Sequence, residues 1–155
     1  MHKPQTTVGT ILIPNNTFFK EVREILCEGK DVLFTINGNS MYPFLSHGDK
    51  VLLSTAREVD LTYGKIILAN SNYGYVLHRL VWKNSKTIWL AGDNNLIQIE
   101  RIDKEQVLGY VKYALVDGKE VNVRNTKFVL FSLLWFLLRP FRLIIYWLKK
   151  VIRNK

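Results

Sequence analysis

Val32-Leu33-Phe34-Thr35-Ile36-Asn37-Gly38-Asn39-Ser40-Met41-Tyr42-Pro43-Phe44-Leu45-Ser46-His47-Gly48-Asp49-Lys50-Val51-Leu52-Leu53 is the segment that decides the fold. Before it, residues 17–27 follow a helical period, with Phe18, Val22 and Ile25 on one face beside Phe19 and Leu26. From Asp31 the pattern changes. An apolar, β-branched and aromatic run at 32–36 meets the turn residues Asn37-Gly38-Asn39, and Val51-Leu52-Leu53 resumes after Gly48-Asp49. Downstream, residues 65–68, 75–82, 87–91, 107–116 and 120–123 read as further strands. Gly92-Asp93 and Asp117-Gly118 punctuate them as turns, the second being a two-residue hairpin signal. Seven short strands with little helix between them predict a mainly-β body, either a barrel or coiled antiparallel sheets. The chain divides accordingly into a β body at 1–125, opened by a short helix, and a helical tail at 126–155.

A chain of 155 residues, 48% hydrophobic and 23% charged, has the make-up of one folded domain. Its single cysteine excludes a disulfide framework and a cysteine-built zinc site. His2, His47 and His78 show no ligand spacing, so neither a metal nor another cofactor is expected. The net charge of +9 is unevenly placed: residues 121–155 hold eight basic and no acidic side chains, residues 1–120 fourteen and thirteen. A near-neutral body argues against nucleic acid as a partner. Residues 1–6 lack the charged-then-apolar pattern of a secretory signal.

The tail is the charged object and also the most apolar one. Residues 128–148 contain 17 apolar residues out of 21, yet Arg139, Pro140 and Arg142 fall near the middle. A central arginine costs roughly 2.5–3.5 kcal/mol on insertion scales. Split at Arg139, the tail becomes an apolar helix at 128–138 followed by an amphipathic one. On the second, Arg139, Arg142, Lys149, Lys150 and Arg153 fall within about 100° of one another. This predicts a tail lying in the interface of an anionic membrane, expected to be the cytoplasmic membrane. Phe128, Trp135 and Trp147 supply aromatic anchors and the five cations face headgroups. The bland alternative is a tail packed on the body, on a second copy or on a partner membrane protein.

Gly38 followed closely by Ser40 places a hydroxyl on a tight turn just after a strand, where a substrate backbone can approach. Serine is a weak nucleophile without a base, and His78 is the only histidine embedded in a strand. On local evidence alone, Ser40 reads equally as a turn residue and His78 as a satisfied core histidine. The boxes Gly38–Leu45, Gly48–Val51, His78-Arg79 and Gly92–Asn95 resemble, in order and spacing, those of the signal peptidase I clan, which includes the SOS-repressor autoproteases. The resemblance implies coiled antiparallel sheets with a catalytic groove beside an exposed strand edge. It further implies Ser40 as nucleophile and His78 as base, in the position that lysine holds in typical bacterial enzymes. Asp93 is the expected orienting acid, with Glu100 and Asp103 as alternatives, because the histidine-type relatives' further aspartate is here Ile99. The oxyanion hole would use the Ser40 backbone N–H and the Asn37 amide. Met41, Tyr42, Pro43 and Phe44 would form substrate-pocket walls.

The expected function is a membrane-associated serine endopeptidase that cleaves a signal, leader or propeptide. Two alternatives use the same fold: an autoproteolytic regulator and a catalytically silent binding protein. Against the regulator, Leu26-Cys27-Glu28-Gly29 lacks the small-residue–Gly bond that such proteins cut. An N-terminal membrane anchor of the kind typical signal peptidases carry is not expected from residues 1–31, the helix at 17–27 being too short and too charged.

Overall fold

The computed structural model of the chain describes residues 15–72 and 74–153. Residues 1–6 and His2 lie outside them. Helix α1 spans Asn15–Cys27 and is followed by β1 (Val32–Thr35), β2 (Lys50–Thr55), β3 (Ile66–Ser71), β4 (Gly74–Lys83), β5 (Thr87–Ala91), β6 (Glu100–Asp103), β7 (Val107–Val116) and β8 (Lys119–Val121). Two helices close the chain, α2 (Thr126–Leu137) and α3 (Arg139–Arg153). The eight strands form one antiparallel sheet in the order β1-β2-β7-β3-β4-β5-β6, with β8 hairpinned onto β7. Asp117 and Gly118 both take positive φ in that hairpin, as a primed two-residue turn requires.

The mainly-β expectation holds, with one strand more than the sequence pattern gave. The addition is β6, whose Glu-Arg-Ile-Asp is three-quarters charged and too short for a periodic signal. Register breaks at Leu52/Leu53, Leu68/Ala69 and Leu80/Trp82 coil the sheet and let it bury both faces. β3 shows the result: Leu68 joins a core with Val22, Leu26, Met41, Leu53 and Val111, while Ile67 and Ala69 join another with Leu80, Leu90 and Ile102. A strand buried on both faces is an unbroken apolar run, which is how residues 66–69 read.

The tail is docked on the body along one side. Val129 and Leu133 of α2 cover the turn at Gly64, and Phe128 stacks edge-on against Phe44 at 5.3 Å. Ser132 is fully buried in that contact. The opposite sides of α2 and α3 are exposed, including Leu130, Phe131, Leu134, Leu137, Phe141, Ile144, Leu148 and Ile152. Among the described residues no single helix is long and apolar enough to cross a membrane; α2 and α3 together reach that length but are bent by 50° at Leu138.

Gly64 has φ +81° and no room for a side chain, because a Cβ there would run into Val129. Gly64→Ala is therefore expected to loosen the tail before the sheet. Limited proteolysis should cut the variant near 126–138 at protease levels that leave the parent intact, with far-UV β signal retained.

Candidate active site

Ser40 sits in the exposed turn region after β1, and His78 is buried in β4. They line one cavity of about 410 Å³ that also includes Asn37 and Met41. Its walls are the outer edge of the sheet at Phe34–Asn37 and the residues Tyr75–His78. Among the described residues neither has a strand partner on its outer side: β1 ends the sheet, and β5 pairs with β4 only from Arg79 onward. At its far end Phe18, Phe19, Phe34 and Tyr75 form an aromatic cluster, with Phe19 stacked on Tyr75 at 4.4 Å.

Gly92 brings the serine turn and the histidine together. A Cβ on Gly92 would lie 2.8 Å from the Ser40 carbonyl oxygen and 3.0 Å from His78 Nε2. No side chain fits between them. The Asn94 N–H donates to that same Ser40 carbonyl at 2.8 Å, so the Gly92–Asn94 loop fixes the turn by its backbone. Among the described residues neither the Ser40 N–H nor its Oγ has a hydrogen-bond partner.

His78 is oriented by Glu100. The Nδ1–H donates to Glu100 Oε2 at 2.9 Å, both side chains being buried, and Gln98 Nε2 donates to Oε1 at 2.9 Å. With Nδ1 protonated toward the carboxylate, the Nε2 lone pair is left on the Gly92 and Ser40 side. Asp93, the first-choice acid, is engaged elsewhere: its two oxygens accept from Arg79 Nε at 2.8 Å and Nη2 at 2.6 Å. Burial pushes the Asp93 carboxyl pKa up, and the hydrogen bonds and charge of Arg79 pull it back. Asp103 lies three residues beyond Glu100 on β6, about 10 Å along the strand. Glu100 was legible only as an alternative because β6 itself carries no periodic signal.

Of the expected pocket residues only Met41 borders this cavity, and it is mostly core. Tyr42 and Pro43 are exposed around a cis peptide bond, and neither lines it. Phe44 faces inward against Arg79, whose guanidinium lies 5.2 Å from its ring and 5.7 Å from that of Phe128. The residues expected to face lipid are also divided. Phe128 is half-buried, and Trp135 Nε1 donates to the Asp93 carbonyl at 2.9 Å. Arg139 donates to the carbonyls of Asn95 and Gln98, and Arg142 to that of Asp93 at 3.1 Å. These two cations hold the loop that carries Gly92 and Asn94 and do not face outward as the helical wheel suggested. Trp147, Lys149, Lys150 and Arg153 are exposed.

The chain belongs to the Peptidase S24-like family, whose model matches residues 4–112, a stretch containing Ser40, His78, Asp93 and Glu100. That membership implies serine-peptidase or autoprotease-type chemistry in general. No curated protein matches the chain.

The two buried acids predict different losses. Asp93→Ala leaves the Arg79 guanidinium buried and unpaired, so urea unfolding of the full chain should show a loss of about 3–5 kcal/mol. Glu100→Gln keeps a group of the same shape beside His78 and should cost far less in the same titration.

Proposed function

We propose that this Peptidase S24-like chain is a membrane-associated serine endopeptidase that works through Ser40, His78 and Glu100. The observation that carries the reading is the Nδ1–Glu100 hydrogen bond at 2.9 Å, which leaves Nε2 beside the Ser40 turn. On attack, His78 Nε2 takes the Ser40 Oγ proton as Oγ bonds to the scissile carbonyl carbon. Glu100 then faces an imidazolium and stabilises it without taking the proton. The oxyanion accepts from the free Ser40 N–H and from the Asn37 amide at the same cavity. When the C–N bond breaks, the imidazolium gives its proton to the leaving amine, and water later cleaves the acyl-enzyme by the same relay.

The substrate is an extended peptide. The edges of β1 and of residues 75–78, unpaired among the described residues, can give it backbone hydrogen bonds as an added strand. Met41 and the aromatic residues Phe18, Phe19, Phe34 and Tyr75 line the same cavity as Ser40 and give it apolar walls. A signal, leader or propeptide carrying small residues at the cut and an apolar residue upstream fits that shape.

Membrane association rests on the outer side of the tail. Its many large exposed apolar residues, from Leu130 to Ile152, are of the kind that mark a contact surface. Lys149, Lys150 and Arg153 lie at the end of α3, with Lys150 5.2 Å from the Trp147 ring centre, an arrangement suited to anionic headgroups.

The test uses the full chain with vesicles of mixed zwitterionic and anionic lipid. Ser40→Ala, His78→Ala and the double variant should each lose about 10²–10⁴ in the cleavage rate of an internally quenched peptide library, without additivity. Persistence of cleavage in Ser40→Ala removes the proposal, and absence of any Ser40-dependent event favours the silent binding protein.

Flotation is the second measurement. Replacing Lys149, Lys150 and Arg153 with Gln should weaken binding to anionic vesicles several-fold, with the difference shrinking at high salt. Equal flotation of parent and variant on purely zwitterionic vesicles would leave apolar burial alone as the attraction.

A further inference from the structure

Ser40 borders two cavities. The second, also about 410 Å³, lies between the Ser40 turn, the loop at 94–97 and two residues of α3, Leu143 and Tyr146. We propose that it is the subsite for the substrate segment on the other side of the scissile bond, and that α3 is one of its walls. The proposal rests on the peptidase reading and deepens it. Ser40 is the one residue common to the linings of both cavities. A peptide with its scissile carbonyl at Oγ and one side along β1 therefore continues into the space that α3 closes.

The lining states what it takes. Asn39, Asn94 and Asn95 supply amides able to meet a peptide backbone, and Leu96, Ile97, Leu143 and Tyr146 supply apolar surface. No carboxylate, ammonium or guanidinium is among the lining residues. A charged substrate side chain entering here would lose water without a counter-charge, whereas Leu or Phe would gain from burial. The class of ligand is thus an uncharged, apolar residue within the first few positions past the cut.

Both walls are fastened to each other. Arg139 holds the carbonyls of Asn95 and Gln98, and Arg142 and Trp135 hold that of Asp93, so the loop facing α3 is fastened by α2 and α3 themselves. Guanidinium groups committed to loop carbonyls are a poor use of cations if the tail is an anchor alone. They suit a tail that completes a binding site. Trp135 also stacks under Arg142, its ring centre 3.9 Å from the guanidinium carbon.

The experiment uses the full chain on lipid vesicles with quenched peptides that differ only at the two positions on each side of the bond cut. The parent should prefer Leu or Phe over Lys or Asp at the positions past the cut by about tenfold in kcat/KM. Leu143→Ala and Tyr146→Ala should reduce that preference several-fold, mainly through KM, and leave the selectivity on the opposite side intact. Leu143→Glu should shift the preference toward Lys at the same positions, a gain that misfolding cannot produce. Unaltered selectivity on both sides in all three variants, with Ser40-dependent cleavage persisting, overturns the subsite. Failure of the parent to react at Ser40 with a small fluorophosphonate overturns the peptidase reading instead.

Discussion

Arg79 is completely buried, and a guanidinium without water must have all its donors met by protein. Asp93 takes two of its hydrogen bonds, the Gly64 carbonyl takes a third at 2.6 Å, and Phe44 and Phe128 lie against its faces. Those partners come from the loop after β5, the turn before β3, the loop after the serine turn and the first turn of α2. One cation thus fixes four separate pieces of chain around the residue next to His78. Because Asp93 is tied to Arg79 on β4, the loop reaches Ser40 by its backbone alone, through Gly92 and Asn94. The division of labour between the acids follows: Asp93 builds the frame and Glu100 touches the imidazole.

The tail extends this frame and does not hang from it. Trp135, Arg139 and Arg142 all spend their donors on carbonyls of residues 93–98, which have no strand partners of their own. Loop carbonyls at a sheet's end ordinarily face water, so fastening them with side chains from two helices gives the site a rigidity that the sheet cannot supply. The bend at Leu138 lets α2 cover Arg79 while α3 turns toward Ser40.

The site was legible in the sequence where order along the chain carried it. Ser40 and His78 stand in four boxes of fixed order, and the strand pattern around them survives in the structure. Partner choice was not legible. Asp93 and Glu100 are both acids within reach of β4, and what separates them is a sheet register set by β6, a strand too polar and too short to see. The tail failed differently: a helical wheel finds that Arg139 and Arg142 share a stripe with Lys149 but is silent on what that stripe faces. Near the start of α3 it faces loop carbonyls, and near the end it faces outward.

The open edge of β1 has a cost of its own. An edge with no partner among the described residues offers a row of backbone donors and acceptors that can receive a peptide strand, and can equally receive the same strand of another copy of the chain, the first step of aggregation. Several features limit that second outcome. β1 is only four residues long, its run stops at Asn37-Gly38, and α1 places Phe18 and Phe19 against Phe34, 5.8 and 6.3 Å between ring centres. A flat neighbouring sheet brings more bulk to those rings than one strand does, so the aromatic cluster burdens sheet-on-sheet pairing more than the addition of a single strand.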